Sequence, residues 1–134
     1  MTTLPTSVGA ITLFVADPQR SKAFYETAFG LSVMFEDENS AAFGFENMIV
    51  NLLKRPVAHE LIAPADVAAP SAGSSFQLTI WVDDTDTASA ELGSRGVELL
   101  NGPIDRVWGM RTASFADPDG HVWEVAARIP EPER

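Results

Sequence analysis

The sequence contains one pattern twice. The stretch LTIWVDD at positions 78–84 matches ITLFVAD at positions 11–17, and each copy ends in an Asp that stands directly before a helix-like segment. A glycine closes that segment in both copies, Gly30 in the first and Gly96 in the second. Because the whole order of elements recurs, the pattern indicates an internal duplication. The chain is therefore expected to fold as two copies of one small module.

The first copy predicts the element order β-α-β-β-β. A strand over residues 10–16 is followed by Asp17-Pro18, which is typical of a helix N-cap with Pro at the first helical position. The helix over residues 19–29 is predicted to end at Gly30. Its packed face is expected to consist of Ala23, Phe24, Thr27 and Ala28. Three further strands are predicted over residues 31–35, 41–45 and 48–53.

A segment rich in proline and small residues separates the two copies. Three prolines with Ala, Ser and Gly over residues 56–75 predict a connector without regular structure, which crosses the surface or partly covers a pocket. The length of 134 residues predicts a single domain spanning residues 1–134. Within it the modules are predicted at residues 8–55 and 74–129, joined by a linker at 56–73.

The stretch FADPDGHVWEV, residues 115–125, predicts a β-hairpin in the second copy. Its DPDG tetrapeptide has the Pro, Asp and Gly that a tight turn requires. In the strand that follows, over residues 121–128, alternation places Glu124 on one face and His121 on the other. A carboxylate among apolar neighbours requires a partner. The sequence leaves four candidates open: a metal, another cation, a hydrogen-bond donor or a water-filled pocket.

The composition bounds the partners of the chain. Its net charge of −10 repels nucleic acid and anionic membranes, and it favours a cationic ligand. Without cysteine, disulfides, thiolate metal sites and cysteine nucleophiles are excluded. No apolar run has transmembrane length, and the stretch from Met1 to Gly9 does not read as a signal peptide. We therefore expect a cytoplasmic protein without nucleic-acid or membrane partners.

Taken together, three strings resemble the vicinal oxygen chelate superfamily, which includes glyoxalase I, bleomycin-resistance proteins and extradiol dioxygenases. They are LFVADPQRSKAFYETAFGL, IWVDDTD and FADPDGHVWEV, and the resemblance extends over residues 9–128. It implies an α+β fold in which two βαβββ modules form cupped mixed sheets around a central cavity. It also implies a homodimer.

The resemblance implies four metal-ligand positions, one on each of four equivalent strands. In the metalloenzymes of the superfamily these positions hold mostly His, Glu or Gln, and here they fall on Ala10, Asn51, Gln77 and Glu124. Ala10 has no donor atom, and neutral amides bind transition metals weakly. We therefore expect no tight metal and no other cofactor. A hard ion held weakly by Glu124, Gln77 and water stays open.

The face that carries Glu124 is expected to line a small-molecule pocket, since such sites combine an apolar wall with a few polar groups. Trp81 and Trp108 are expected to stack on a planar or cationic ligand. Arg111 is expected to pair with Glu124 or to bind an anionic group of the ligand. The predicted lining residues are Thr12, Phe14, Phe43, Phe45, Asn51, Gln77, Thr79, Trp81, Trp108, Met110, Arg111 and Glu124.

Three functions are compatible with these residues. The first is a metal-free binding protein that sequesters an antibiotic-like or other small aromatic molecule, as bleomycin-resistance proteins do. The second is a lyase, isomerase or dioxygenase of the same superfamily that uses a divalent metal. The third is metal-free acid–base catalysis with Glu124 as the general base. We favour binding, because two of the four ligand positions lack a suitable donor. The sequence does not identify the ligand or substrate, and it does not say whether modules pair within one chain or between two.

Overall fold

The computed structural model describes residues 4–131, and the chain forms two compact units whose boundary lies between Ala69 and Pro70. Each unit contains one four-stranded mixed sheet and one copy of the repeated β-α-β-β-β order. The α+β class and the two βαβββ modules are therefore confirmed. Within the described residues, no helix has both the length and the apolar character needed to cross a bilayer.

The first unit consists of four strands and two helices. They are β1 (Ala10–Val15), α1 (Pro18–Phe29), β2 (Phe35–Glu36), β3 (Ser40–Gly44), β4 (Ile49–Lys54) and α2 (Arg55–Ile62). The strand order is β1-β4-β3-β2, with β1 parallel to β4 and the other pairs antiparallel. Because parallel neighbours need a crossover connection, the chain between β1 and β4 has room for α1 on one face of the sheet.

The second unit repeats this topology. After a single 3₁₀ turn at Pro70–Ala72, it contains β5 (Gln77–Trp81), α3 (Thr85–Ser94), β6 (Leu99–Asp105), β7 (Met110–Ala116) and β8 (Val122–Arg128). The strand order is β5-β8-β7-β6, with β5 parallel to β8 and the other pairs antiparallel. Each strand thus has a counterpart in the first sheet.

The two sheets also share their register. Ala10 lies opposite Ile49 in the first sheet, and Gln77 lies opposite Val122 in the second. The correspondence that the repeat predicted, of Ala10 with Gln77 and of Asn51 with Glu124, therefore holds in the strand pairing. The duplication that the sequence indicated is confirmed at the level of individual strand pairs.

Both predicted helix starts are confirmed. The Asp17 carboxylate accepts a hydrogen bond from the backbone N–H of Gln19 at 3.0 Å, and the Asp84 carboxylate accepts one from Thr87 at 2.9 Å. At the end of α1, Gly30 has φ +66°, a left-handed conformation that glycine adopts without strain. Side-chain capping and a helix-ending glycine therefore set the bounds of α1 locally.

The predicted packed face of α1 was wrong in part. The buried positions are Pro18, Ser21, Tyr25 and Ala28, whereas Ala23 and Thr27 are exposed. Tyr25 is fully buried and its ring lies 6.0 Å from that of Phe43 in β3. The buried side chains recur at the three- and four-residue spacing of a single helix face, rotated from the face that the sequence suggested.

Two further segments differ from the prediction. The strand predicted over residues 31–35 is reduced to the two residues of β2, although the N–H of Met34 still donates to the carbonyl of Ala42 at 2.8 Å. The predicted connector begins with a helix, α2, which follows β4 directly. Proline is compatible with the first turn of a helix, and α2 continues through the good helix formers Ala58, Glu60 and Leu61. The prolines therefore did not exclude a helix.

The DPDG hairpin forms as predicted. One carboxylate oxygen of Asp117 accepts the N–H groups of Asp119 and His121, both at 2.9 Å, and Gly120 has φ +88°. The other carboxylate oxygen lies 2.8 Å from Nδ1 of His121. Asp117 is 5% exposed, so this carboxylate holds the turn from inside the protein.

Candidate functional site

The second sheet has one face against α3 and one face that carries the candidate site. Arg111, Ala113 and Phe115 alternate along β7 toward α3, since the Arg111 side chain bonds to Asp86 at the start of that helix. Glu124 lies on the opposite face, because it pairs directly with Thr79 of β5 and Ser114 of β7. The predicted lining residues are divided between the two units, and each set is described in its own sheet.

Glu124 has a hydrogen-bond donor as its partner. The Thr79 hydroxyl donates to a carboxylate oxygen of Glu124 at 3.0 Å. Glu124 is half-buried, and no cationic side chain within residues 4–131 forms an ion pair with it. The carboxylate is thus oriented by a neutral group, and its charge remains available to a ligand.

The two predicted aromatic anchors are exposed. Trp81 pairs with Ala126 and so lies on the Glu124 face, with 74% of its surface exposed. Trp108 is 67% exposed and lies in the turn between β6 and β7. Met110, at the start of β7, is half-buried and shares the Glu124 face by alternation. Gln77 is exposed at the start of β5.

Arg111 does not pair with Glu124, which was one of its two predicted roles. Its guanidinium donates to both carboxylate oxygens of Asp86, at 3.1 and 3.0 Å, and to Asp105 at 3.0 Å. Hydrogen bonds to Asp86 and to Asp105 raise the pKa of Arg111 above its ordinary value. The residue therefore ties β6 and β7 to α3, on the face away from Glu124.

Arg106 lies on the Glu124 face, where Arg111 was expected. Its Nε donates to the Thr112 hydroxyl at 3.0 Å, and its Nη2 donates to the side-chain oxygen of Asn101 at 3.3 Å. Thr112 alternates with Ser114 on the Glu124 face, so Arg106 lies on that face too. The guanidinium carbon is 6.0 Å from the Trp108 ring. The spacing of Arg106 and Trp108, two positions apart in the sequence, was the one sequence signal for this contact between them.

The hairpin that carries Arg106 is longer than its counterpart in the first sheet. Ala42 pairs with Asn51 as Ser114 pairs with Glu124, so Ala42 and Ser114 are equivalent positions of the repeat. On the other side Ala42 pairs with Phe35, whereas Ser114 pairs with Asn101, which is further away along the chain. The hairpin of the second unit is therefore the longer one, and it includes both Arg106 and Trp108.

In the first sheet the predicted residues fall on two different faces. Thr12 and Asn51 are directly paired, and Phe14 shares their face by alternation. Phe43 is fully buried on the α1 side, and the Phe45 ring lies 5.1 Å from that of Phe29 in α1. Phe43 and Phe45 therefore belong to the core beneath α1, contrary to the prediction, since Phe43 pairs with Val50 and not with Asn51.

The four positions implied for a metal do not form a strong donor set. Glu124 is the one ionisable side chain among them, and Thr79 already donates to one of its oxygens. Ala10 contributes no donor atom, and Asn51 and Gln77 are neutral amides. Across residues 4–131, no three His, Cys, Asp or Glu side chains are grouped so as to hold a metal ion. This arrangement does not fit a tight transition-metal site.

A separate cavity of about 390 Å³ opens at the start of α3, on the side away from Glu124. Its wall includes Asp84, Asp86, Asp105 and Arg111, and the arginine is already bonded to two of these carboxylates. Arg111 is the one predicted site residue that lines it. This cavity is therefore distinct from the Glu124 face.

Comparison with known proteins places this geometry in a wider group. The model of the glyoxalase/bleomycin resistance protein/dioxygenase superfamily matches residues 7–125. The uncharacterized protein YraH of Bacillus subtilis is 31% identical over 119 residues, which are 86% of this chain and 93% of YraH.

Solved structures share the fold. A glyoxalase/bleomycin resistance protein/dioxygenase from Nocardioides superposes with a TM-score of 0.85 at 24% identity, covering 99% of this chain and 91% of its own. A glyoxalase-related enzyme from Fulvimarina pelagi superposes with a TM-score of 0.78 at 25% identity, covering 92% of this chain and 89% of its own. The first of these similarities bears on the fold alone.

Proposed function

Since the chain belongs to the glyoxalase/bleomycin resistance protein/dioxygenase superfamily, we propose that it is a small-molecule-binding protein that sequesters an aromatic, antibiotic-like ligand. The observation that carries the proposal is the exposure of Trp81 on the face of Glu124, a carboxylate without an ion-pair partner within residues 4–131, together with the exposure of Trp108. Trp81 shares the face of Glu124, and Trp108 lies beside Arg106, whose side chain rests on that face. The proposed binding surface is the Glu124 face of the second sheet, opposite the face that packs against α3.

Exposed tryptophans are suited to hold a planar molecule. A tryptophan ring offers a large, rigid apolar surface, and stacking adds to the gain from its burial. Such anchors dominate the affinity of many binding sites. Glu124 then orients the ligand, because Thr79 fixes one carboxylate oxygen and leaves the other to accept a hydrogen bond or face a cation.

A second candidate function is metal-free acid–base catalysis by Glu124. It is supported by the same carboxylate, which is half-buried, oriented by Thr79 and without a cationic partner within residues 4–131. A carboxylate held in this way is a suitable general base when a substrate proton lies within hydrogen-bond reach. A metal-dependent reaction receives no comparable support, given the donor set described above.

The test is a screen of aromatic fragments by thermal shift, followed by calorimetric titration of the best binder against variants. Trp81→Ala should weaken binding by about 1–3 kcal/mol, because it removes a stacking surface. Phe76→Ala is the matched control. Phe76 is also exposed, at 48%, but it precedes β5 and alternates onto the other face. This control should leave the affinity unchanged.

Glu124→Gln separates binding from catalysis. The substitution keeps the shape and removes the charge, so it should weaken a cationic ligand and spare a neutral one. An enzyme would instead lose turnover while substrate binding stayed nearly intact. The binding proposal fails if no aromatic fragment binds. It also fails if Trp81→Ala leaves affinity unchanged while Glu124→Gln abolishes a measurable turnover.

A further inference from the structure

Several basic side chains of this acidic protein are matched with carboxylates, and Arg106 is an exception. Lys22 pairs with Glu36 at 3.0 Å, Arg95 with Glu91 at 2.8 Å and Arg111 with Asp86 and Asp105. Arg106 instead donates to a hydroxyl and an amide oxygen, and no carboxylate within residues 4–131 forms an ion pair with it. A chain with a net charge of −10 thus leaves a positive charge uncompensated on the candidate binding face.

The Arg106 guanidinium is also held in place. Thr112, which accepts from its Nε, is only 1% exposed, so the anchor is part of the core. Asn101 accepts from Nη2, and the Trp108 ring lies 6.0 Å from the guanidinium carbon. Within the described residues, Nη1 has no acceptor. A guanidinium that is already oriented loses less conformational entropy when it binds an anion than a freely rotating side chain would.

The strand pairing relates the residue that anchors the Arg106 guanidinium to Glu124. Thr112 and Ser114 are two residues apart on one face of β7, which corresponds to about 7 Å along the strand. Ser114 pairs directly with Glu124, whereas Thr112 anchors Arg106. The face therefore presents a cation and an anion, neither of which has an ion-pair partner within residues 4–131.

We propose that Arg106 binds an acidic group of the ligand, so that the protein takes aromatic acids. This inference rests on the proposed function, since it names the chemical class of the ligand for the same face. A planar guanidinium with free N–H groups matches the oxygens of a carboxylate or a phosphate. The aromatic part of the ligand lies against Trp108 or Trp81, and Glu124 accepts from a donor group elsewhere on the molecule.

The experiment compares three probes that share one ring system: 2-naphthoate, 2-naphthamide and 2-naphthyl phosphate. Binding to the full chain is measured by titration calorimetry at about 0.15 M salt, where long-range charge effects are largely screened. The wild type should bind 2-naphthoate at least about tenfold more tightly than 2-naphthamide, as expected for one added charge-assisted hydrogen-bond pair. The phosphate shows which anionic group fits better.

Three variants locate the preference. Arg106→Gln should reduce the preference for the acid to about twofold or less while leaving 2-naphthamide binding intact, and the intact amide binding also shows that the variant is folded. Arg106→Lys should retain part of the preference, because it keeps the positive charge but lacks the planar set of N–H donors of the guanidinium. Arg95→Gln removes an arginine that directly follows α3 and is ion-paired with Glu91, and it should change nothing.

The outcomes separate this inference from the proposed function. The assignment of Arg106 is overturned if the wild type binds 2-naphthamide as tightly as it binds 2-naphthoate and 2-naphthyl phosphate. It is also overturned if Arg106→Gln still prefers the acids to the amide. In either case aromatic binding stands. If none of the three probes binds, the proposed function fails and the inference fails with it. If the acids are preferred and Arg106→Gln alone removes the preference, the inference is supported.

Discussion

Thr12 and Asn51 occupy, in the first sheet, the paired positions that Thr79 and Glu124 occupy in the second. Both copies have threonine on the first strand, whereas the last strand has an amide in one copy and a carboxylate in the other. This position of the repeat therefore holds a neutral side chain in the first sheet and a charged one in the second. This asymmetry determines the metal chemistry expected of the protein.

We predict that protein purified without added metal carries less than about one equivalent of transition metal. One carboxylate and two neutral amides cannot compete with ordinary chelating buffers for zinc, nickel or iron. Elemental analysis by mass spectrometry of the purified chain provides the measurement. Stoichiometric metal that disappears in the Glu124→Ala variant would contradict the prediction.

Substitution by alanine should change the free energy of unfolding in opposite directions at two glycines. Gly102 in β6 has φ +91°, and a Cβ there would collide with the Thr112 carbonyl oxygen and lie 2.7 Å from the Ala113 Cα. Gly102→Ala should therefore lower the free energy of unfolding by at least about 2 kcal/mol. Gly93 lies in α3 with open space around it, so Gly93→Ala should raise the free energy by up to about 1 kcal/mol. Urea unfolding measures both, and equal effects would contradict the structure.

The Asp84 cap predicts a pH dependence of stability. The hydrogen bond from the Thr87 backbone, above all, lowers the pKa of Asp84 below its ordinary value of 3.8. A lowered pKa in the folded state means that this contribution to stability is present above pH 3.8 and is lost as the pH falls below it. Asp84→Asn keeps a cap but does not titrate.

The unfolding free energies of the wild type and Asp84→Asn should therefore converge between about pH 4 and pH 2. Urea titrations across this range check the prediction. Asp84→Ser, which also caps without titrating, should behave like Asp84→Asn. A difference between wild type and variant that stays constant across the whole range would show that the Asp84 charge does not stabilise α3.

We also predict a homodimer. The edge strands β2 and β6 are equivalent in the repeat, and both expose apolar side chains, Phe35 on β2 and Leu100 and Ile104 on β6. Exposed apolar side chains at the edge of a sheet favour association with a second chain. Analytical ultracentrifugation should show a dimer that Leu100→Lys weakens and Leu61→Lys, on the exposed surface of α2, does not. A purely monomeric wild type would rule the dimer out.

Features that depend on short stretches of sequence were predictable. The caps at Asp17 and Asp84 and the turn held by Asp117 are each formed by a side chain that bonds to backbone close to it in the chain. Alternation likewise placed Thr79 and Glu124 on one face, because β5 and β8 pair without interruption. The caps and the turn need no knowledge of distant contacts, whereas the pairing of Thr79 with Glu124 joins residues 45 positions apart and depends on the register of β5 with β8.

Arg111 was misassigned because it was placed on the same face as its neighbour Met110, although successive residues of a strand point to opposite faces. The pairing of β6 with β7 shifts register twice, between Leu99 and Asn101 and again between Asn101 and Ile104. Each shift moves the residues that follow relative to the opposing strand. These shifts affect the position of Arg106, which follows β6. The face of Arg111 does not depend on them, because β7 pairs with β8 without a register shift. Phe43 was likewise misplaced, since a one-residue error in parity reverses its face.

The lengthened hairpin of the second unit carries Arg106 and Trp108 apart from the strands that hold Thr79 and Glu124. Its ends are set by the Asn101–Ser114 pair, while Thr79, Glu124 and the strands that hold them lie outside it. Residues can therefore be inserted, deleted or exchanged around Arg106 and Trp108 without altering the register of β7 with β8. In an ancestral duplication, one copy could keep the short turn while the other diversified. For protein engineering, the tip at residues 106–108 is thus the place to randomise when a new ligand is sought on an unchanged frame.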